Sequence, residues 1–183
     1  MVQKKLIMLK PTKQDLADAI NKQIHDVIAP DLKILFCGIN PGLYTAATGF
    51  HFARPGNRFW KALFYGGITD RVLNPSEQDE LLKYGYGITN FVSRTTNAAA
   101  ELSKEEYIAG AENLKAKILF YRPKILAILG IEAYRKGFQK PKAKIGLHDE
   151  KIGETKIWVL PNPSGLNAHF TAESIGELMR GIK

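Results

Sequence analysis

The sequence predicts an α/β fold in which helices cover both faces of a largely parallel sheet. Three short apolar runs, at residues 34–37, 125–129 and 157–160, have the length and composition of buried strands. Stretches with helix-starting signals lie between them, and strands that alternate with helices are typical of parallel sheets. We therefore expect a three-layer α/β/α sandwich whose central layer is a mostly parallel sheet.

Residues that can cap helices lie between these strands. Ser, Thr and Asn are typical of helix starts, because their side chains satisfy the first free N–H groups of a helix. The predicted helices begin at Thr12, Asn57, Asn74, Ser103, Glu132 and Thr171. The first should run to about residue 27, and residues 38–56 remain as one long loop, a length that is usually functional. Residues 87–92 form a further extended segment, and a turn at 153–154 makes a hairpin before the last strand.

Two loops of the same kind follow the first and last of the apolar runs. Residues 38–42 read Gly-Ile-Asn-Pro-Gly, and residues 161–166 read Pro-Asn-Pro-Ser-Gly-Leu. In open α/β sheets, ligands bind at the carboxyl ends of the strands. We therefore expect both loops to contribute to one cleft, and Asn40 is the first polar side chain after the first strand.

The composition indicates one domain and a polyanionic partner. The chain has 183 residues, of which 45% are hydrophobic and 24% charged, and it contains no apolar run long enough to span a membrane. A single cysteine, Cys37, excludes an internal disulfide and fits a reducing compartment, so we expect a cytoplasmic protein. The net charge of +8 favours nucleic acid, although solubility alone explains such a charge equally well.

Several common kinds of site are absent from the sequence. There is no Gly-x-Gly-x-x-Gly or Walker A motif, no Gly-x-Ser-x-Gly elbow, and no metal-ligand spacing among the four histidines. We therefore expect no cofactor and no metal. Neither Asn-Pro loop contains Asp or Glu, so chemistry there must depend on a positioned water, backbone donors and exclusion of solvent.

Five segments match one known family in the expected order. They are residues 38–42, 49–52, 55–61, 87–96 and 162–166. Together they resemble the mismatch-specific uracil/thymine-DNA glycosylases of the uracil-DNA glycosylase superfamily; the 87–96 segment is more similar to the thymine branch. The resemblance covers most of the chain, from about residue 26. We interpret residues 1–25 as a basic extension with a helix, and residues 26–183 as the glycosylase domain.

The resemblance implies an enzyme that hydrolyses the N-glycosidic bond of a damaged or mispaired pyrimidine in duplex DNA. Such an enzyme must flip the base out of the stack, at a cost of a few kcal/mol. Asn40 matches the residue that positions the hydrolytic water, although Asn-Pro-Gly alone is also good turn chemistry. The positions that match the family's base pocket are Ile39, Thr45, Phe52, Asn90 and Thr96.

Each of these pocket positions implies a different contact with the base. Phe52 would stack on it, and the backbone of Ile39 and Phe52 would meet its edge. Thr45 is β-branched and should crowd a 5-methyl group, which favours uracil over thymine. Asn90 and Thr96 would contact polar 5-substituents or, equally, satisfy buried backbone groups.

The second loop resembles the loop that enters the duplex in proteins of this family. Leu166 corresponds to the apolar wedge that fills the gap left by the flipped base. Asn162 and Ser164 would bind phosphate or deoxyribose, and Gly165 would allow close backbone approach. Arg58, outside this loop, would either support a loop or contact phosphate. The bacterial form commonly has an arginine two residues after the wedge, whereas Ala168 stands here, so selection of the opposite base should be weaker.

The resemblance thus implies a monomer that acts on duplex DNA and uses no cofactor, metal or membrane. Neither motif contains a lysine, so we expect no Schiff-base lyase chemistry. Two alternatives stay open: a catalytically silent DNA-binding module on the same fold, and a small-molecule nucleoside hydrolase. Binding that weakens steeply with salt would favour DNA over a free nucleoside.

Overall fold

A five-stranded sheet forms the centre of the computed structural model, which describes residues 10–182. The strands are β1 (Ile34–Gly38), β2 (Tyr86–Asn90), β3 (Ile125–Leu129), β4 (Gly146–Ile152) and β5 (Thr155–Leu160). Their order is β2-β1-β3-β5-β4; β4 is antiparallel to β5, and the other neighbours pair in parallel. The predicted mostly parallel α/β sheet is confirmed.

Helices connect the strands and begin close to the predicted caps. The α-helices are α1 (Lys13–Asp18), α2 (Leu43–Thr48), α3 (Phe59–Tyr65), α4 (Leu81–Tyr84), α5 (Lys104–Tyr121), α6 (Ile131–Gly137) and α7 (Ala172–Arg180). Two 3-10 helices span Pro75–Glu80 and Ala99–Glu101. The side chains of Thr12, Asn74, Ser103 and Thr171 each accept a hydrogen bond from the first turn of the helix that follows, which confirms these four caps.

Alternate residues of each strand pack on opposite faces of the sheet, as the strand period of two requires. Ile34 and Phe36 of β1 belong to a buried cluster that also contains residues of α3 and α7. Leu35 and Cys37 point to a second cluster with residues of α5 and α6. The three-layer sandwich follows from this alternation.

The predicted helix from Thr12 to about residue 27 is wrong beyond Asp18. Asn21 adopts a left-handed conformation with φ of 63°, which ends any helical path. Val27 then exchanges two backbone hydrogen bonds with Ile88, of 2.9 and 2.7 Å. Because β2 is an edge strand with unpaired backbone groups, pairing with this segment competes successfully with helix formation. Residues 1–9 of the predicted basic extension lie outside the described residues.

Two smaller differences concern the region between β1 and β2. The expected 38–56 loop contains α2, which ends at Gly49 with φ of 76°, a conformation that favours glycine. Helix α3 begins at Phe59, and the Asn57 Oδ1 accepts a hydrogen bond of 2.9 Å from its N–H. No helix in residues 10–182 is long and apolar enough to cross a membrane.

We predict that the Cys37 thiol is inert in the folded protein. It is completely buried in β1, and burial raises the pKa of the thiol, so little thiolate forms and no reagent reaches it. A disulfide reagent such as dithiobis(nitrobenzoate) should titrate about one thiol in guanidinium chloride and almost none in buffer within an hour. Rapid stoichiometric reaction of the native protein would contradict this packing.

Candidate active site

The carboxyl edge of the sheet brings the two Asn-Pro loops and a third loop together. Gly38 of β1 pairs with Asn90 of β2, so both strands end at the same level. Leu129 of β3 pairs with Leu160 of β5, and the 161–167 loop therefore leaves the same edge. This is the edge at which parallel α/β sheets bind ligands.

The Asn40 side chain is held in one orientation by the loop that follows β2. Its Nδ2 donates to the Arg94 carbonyl at 2.9 Å, to the Thr96 Oγ1 at 2.7 Å and, more weakly, to the Pro41 carbonyl at 3.3 Å. A carbonyl can only accept, so the group that faces Arg94 must be the amide nitrogen. The Thr96 hydroxyl donates its own proton to the Ala98 carbonyl at 2.9 Å and is thereby fixed as an acceptor.

The remaining polar atom of this side chain is its carboxamide oxygen. No residue in the described part of the chain donates a hydrogen bond to the Asn40 Oδ1. The side chain is only partly buried, so this acceptor can hold a water. The arrangement therefore separates the two ends of the amide: the nitrogen fixes the group, and the oxygen is left for a ligand.

Backbone hydrogen bonds hold the 91–98 loop against the first Asn-Pro loop. They run from the N–H groups of Phe91, Val92 and Thr96 to the carbonyls of Gly38, Ile39 and Pro41, at 2.8, 2.9 and 3.2 Å. The Arg94 guanidinium of this loop pairs with Glu106, which lies in α5, at 2.7 and 3.0 Å. This ion pair ties the loop to the first turn of α5, because Glu106 is also the capping-box residue of that helix.

Phe52 and Asn90, both predicted pocket residues, meet above the backbone of Gly38. A Cβ added to Gly38 would lie 2.8 Å from the Asn90 Oδ1 and 3.1 Å from the Phe52 Cζ, so a glycine is needed for these two side chains to pack this close to the strand. The Phe52 ring is supported by Phe59, with ring centroids 4.1 Å apart. The Asn90 carboxamide has no hydrogen-bond partner among residues 10–182, which leaves its donor and its acceptor available.

Phe52 has an uncommon backbone conformation, with φ of 53°, and the residue before it, His51, is buried and held by hydrogen bonds. The His51 Nε2 lies 2.9 Å from the His25 carbonyl, and the His51 N–H donates to the Gln78 side chain at 2.8 Å. Burial lowers the pKa of His51, so the neutral ring donates through Nε2. Trp60 adds a third contact, from its Nε1 to the His51 carbonyl at 3.1 Å.

The other three predicted pocket residues are buried or half-buried. Thr96 is 2% exposed, and its hydroxyl serves Asn40 and Ala98. Thr45 is 8% exposed on α2. Ile39 is half-buried, packs against the second core cluster, and its carbonyl accepts the Val92 N–H.

The second loop is folded by its own side chains and presents one apolar residue. The Asn162 Oδ1 accepts the Ser164 N–H at 3.0 Å, and the Ser164 Oγ accepts the Leu166 N–H at 3.3 Å. Asn167 closes the loop from its Nδ2 to the Asn162 carbonyl at 3.0 Å. Leu166 is 80% exposed. A side chain of this size has no packing role there, since nothing in the loop covers it.

Arg58 joins the second loop to the segment that precedes α3. Its backbone N–H donates to the Pro163 carbonyl at 2.8 Å, and its Nη1 donates to the carbonyls of Ser164 and Asn167 at 3.0 and 2.6 Å. Of the two predicted roles for Arg58, the structure shows support of a loop. A groove of about 760 Å³ lies elsewhere, lined by Ile125 and Lys156 at the opposite ends of β3 and β5, and contains none of these residues.

Sequence reasoning missed the residues that support this site. The sequence marks Gly38 only as part of a motif and gives no sign that Gln78, Arg94 or Glu106 belongs to the site. The hydrogen bonds that connect Asn40 to Arg94 and Thr96 span 54 and 56 positions. No local spacing signals such contacts. The one available signal was the capping box at 103–106, which marks Glu106 but not its arginine partner.

Comparisons with known proteins identify the family and the fold. The profile of the Uracil DNA glycosylase superfamily matches residues 25–180. The chain therefore belongs to the uracil DNA glycosylase superfamily, whose members act on DNA and hydrolyse glycosyl bonds. Its fold is similar to the solution NMR structure of a "putative uracil DNA glycosylase" from Methanosarcina acetivorans, with a TM-score of 0.61 and 17% identity over 89% of this chain and 98% of that chain. At this identity the likeness shows a shared fold.

We predict that the Arg94–Glu106 pair stabilises the protein at neutral pH and is lost in acid. The pair with Arg94, followed by the Ser103 N–H, lowers the pKa of Glu106 from 4.5 to about 2. Because the folded-state pKa is the lower one, the stabilisation is complete above pH 4.5 and disappears as the pH falls through about 2. Glu106→Gln keeps a capping-box side chain but removes the charge.

The measurement is the urea midpoint of wild type and Glu106→Gln from pH 7 to pH 2. The wild type should be more stable at pH 7, and the difference should shrink below pH 4.5. Glu105→Gln is the matched control, because Glu105 is exposed in the same turn of α5 and has no partner among the described residues. A difference that is independent of pH would disprove the role of the charge.

Proposed function

We propose that this chain is a monofunctional DNA glycosylase that excises uracil, and related damaged or mispaired pyrimidines, from duplex DNA, and that it prefers G·U to G·T. It would act as a monomer without a cofactor. The observation that carries this proposal is the orientation of Asn40, whose nitrogen is tied to the protein and whose oxygen is left as an acceptor at the carboxyl edge of the sheet.

In the proposed reaction Asn40 positions the water and does not need to deprotonate it. The N-glycosidic bond breaks first, and its electron pair leaves with the uracil anion. The oxocarbenium-like sugar then accepts a water at C1′, and the surplus proton of that water passes to solvent or to the released base. A carboxamide is a weak base, but a cation needs only a well-placed nucleophile, so holding the water on Oδ1 supplies the main contribution.

The pocket around Gly38 suits a flipped pyrimidine. The Phe52 ring provides a stacking surface that Phe59 supports from behind. The free Asn90 carboxamide offers one donor and one acceptor side by side. Uracil presents the complementary pair, the N3–H donor beside the O4 acceptor, so Asn90 would read that edge.

The second loop would enter the DNA. Burying a leucine side chain is worth roughly 1.5–3 kcal/mol, which is comparable with the few kcal/mol that base flipping costs. Leu166 is 80% exposed and therefore has nearly all of that surface to bury. The loop uses the oxygens of Asn162 and Ser164 internally, whereas the Asn162 Nδ2 and the Ser164 hydroxyl proton have no described acceptor and can donate to phosphate.

One prediction of this proposal concerns Asn40. In a single-turnover assay on a labelled duplex with one G·U pair, Asn40→Ala should release uracil at least about 100-fold more slowly than wild type, because the water loses its acceptor. Duplex binding should be nearly unchanged. Asn113→Ala is the matched control, since this asparagine is exposed on α5 and its side chain has no described hydrogen bond.

Wild type that binds duplex DNA but cleaves neither G·U nor an ethenocytosine duplex would favour the silent binding module. Binding and hydrolysis of free deoxyuridine, with no steep salt dependence, would favour the nucleoside hydrolase.

Another prediction of this proposal concerns the 5-methyl group. Thr45 is buried, so its branched side chain cannot swing away from a larger base without disturbing α2. Wild type should cut G·U more than about tenfold faster than G·T under single turnover, a factor that corresponds to about 1.4 kcal/mol. Thr45→Ala should reduce this ratio. Equal rates for G·U and G·T in the wild type would disprove the assignment of Thr45.

A further inference from the structure

The guanidinium of Arg58 is surrounded by carbonyl oxygens of the second loop. In addition to the Nη1 contacts with Ser164 and Asn167, its Nη2 lies 3.4 Å from the Gly165 carbonyl. The backbone N–H of the same residue binds the Pro163 carbonyl. One residue therefore engages four carbonyls of a loop that has no regular secondary structure, and an arginine suits this task because its donors form a rigid planar fork.

The backbone segment that carries Arg58 is itself well fixed. Arg58 is the residue that precedes α3, and the next two residues, Phe59 and Trp60, are buried in the core. The backbone of the second loop also approaches the segment before α3 directly: a Cβ on Gly165 would lie 2.7 Å from the Gly56 carbonyl. The loop that carries Leu166 is thus seated on α3 and on the segment before it.

We propose that Arg58 is a positioning residue that holds the wedge loop, residues 162–167, in the conformation in which Leu166 enters the duplex. This inference rests on the proposed function for its consequence in excision. Because its donors point at carbonyls, Arg58 acts through the loop and not through a phosphate. Its side chain contributes order before DNA arrives, so that Leu166 is presented without a prior folding step of the loop.

A measurement on the free protein tests the clamp without requiring any activity. In Arg58→Met the loop loses its side-chain anchors, while α3 keeps a side chain of similar length. Amide hydrogen exchange of the 162–169 segment should become at least about tenfold faster, whereas the 91–98 loop should be unchanged. Arg54→Met is the control, because Arg54 is exposed on the same chain segment and its side chain has no partner in the described structure. Unchanged exchange in 162–169 would overturn the proposal.

A double-mutant cycle then tests whether Arg58 acts through Leu166. Arg58→Met and Leu166→Ala should each slow single-turnover excision from a G·U duplex by about tenfold or more, and the double variant should be no slower than the worse single one. On a uracil in a single-nucleotide bulge, which needs less opening, Arg58→Met should excise within about threefold of wild type. Losses that multiply, or an equal loss on the bulge, would contradict the positioning role.

Salt dependence separates the clamp from a phosphate contact. A residue that binds phosphate releases about one counterion, and its loss lowers the slope of log K against log salt by about one. Arg58→Met should leave this slope unchanged, and a slope reduced by about one would show that Arg58 binds phosphate instead. Absence of excision by wild type on both substrates, with the exchange result as expected, would reject the proposed function and leave the clamp intact.

Discussion

The hydrogen bonds from the Asn40 amide nitrogen to the 91–98 loop are the interaction on which the rest of the site depends. Without them the carboxamide would turn freely, and it would offer a water its donor as often as its acceptor. The Arg94 carbonyl and the Thr96 hydroxyl remove that freedom. They can do so because Gly38 and Asn90 pair in register, which places the ends of β1 and β2 side by side. The Arg94–Glu106 pair then fastens the same loop to α5.

The second loop shows why order before binding matters for a wedge. Fixing the backbone of one residue costs roughly 1–2 kcal/mol, whereas burying a leucine gains roughly 1.5–3 kcal/mol. A loop that had to order even two residues on contact with DNA would therefore lose most or all of the benefit of inserting Leu166. The internal bonds of Asn162 and Ser164, together with the contacts from Arg58, meet this cost during folding. An exposed leucine on a rigid loop is the result.

The sheet and the helix caps could be predicted because both depend on local patterns. Residues 125–129 are β3 as expected, and the Ser103 capping box begins α5. The first helix was overextended because the pairing of Val27 with the edge strand has no local signal. Asn40 was found through a motif, but its partners and those of Arg58 lie 54 to 109 positions away. Contacts of that range are set by topology, and a single sequence does not encode them in any spacing.

The most direct test of the proposed role of Asn40 is a crystal structure of the protein with a G·U duplex that carries 2′-fluoro-2′-deoxyuridine. The fluorine disfavours the oxocarbenium-like sugar, so the uncleaved complex should accumulate. We expect a flipped uracil on the Phe52 ring, a water within about 3 Å of the Asn40 Oδ1 and beneath C1′, and the amide nitrogen still bound to Arg94 and Thr96. A base that stays stacked while the protein is bound, or an Asn40 Oδ1 that contacts the protein and holds no water, would contradict it.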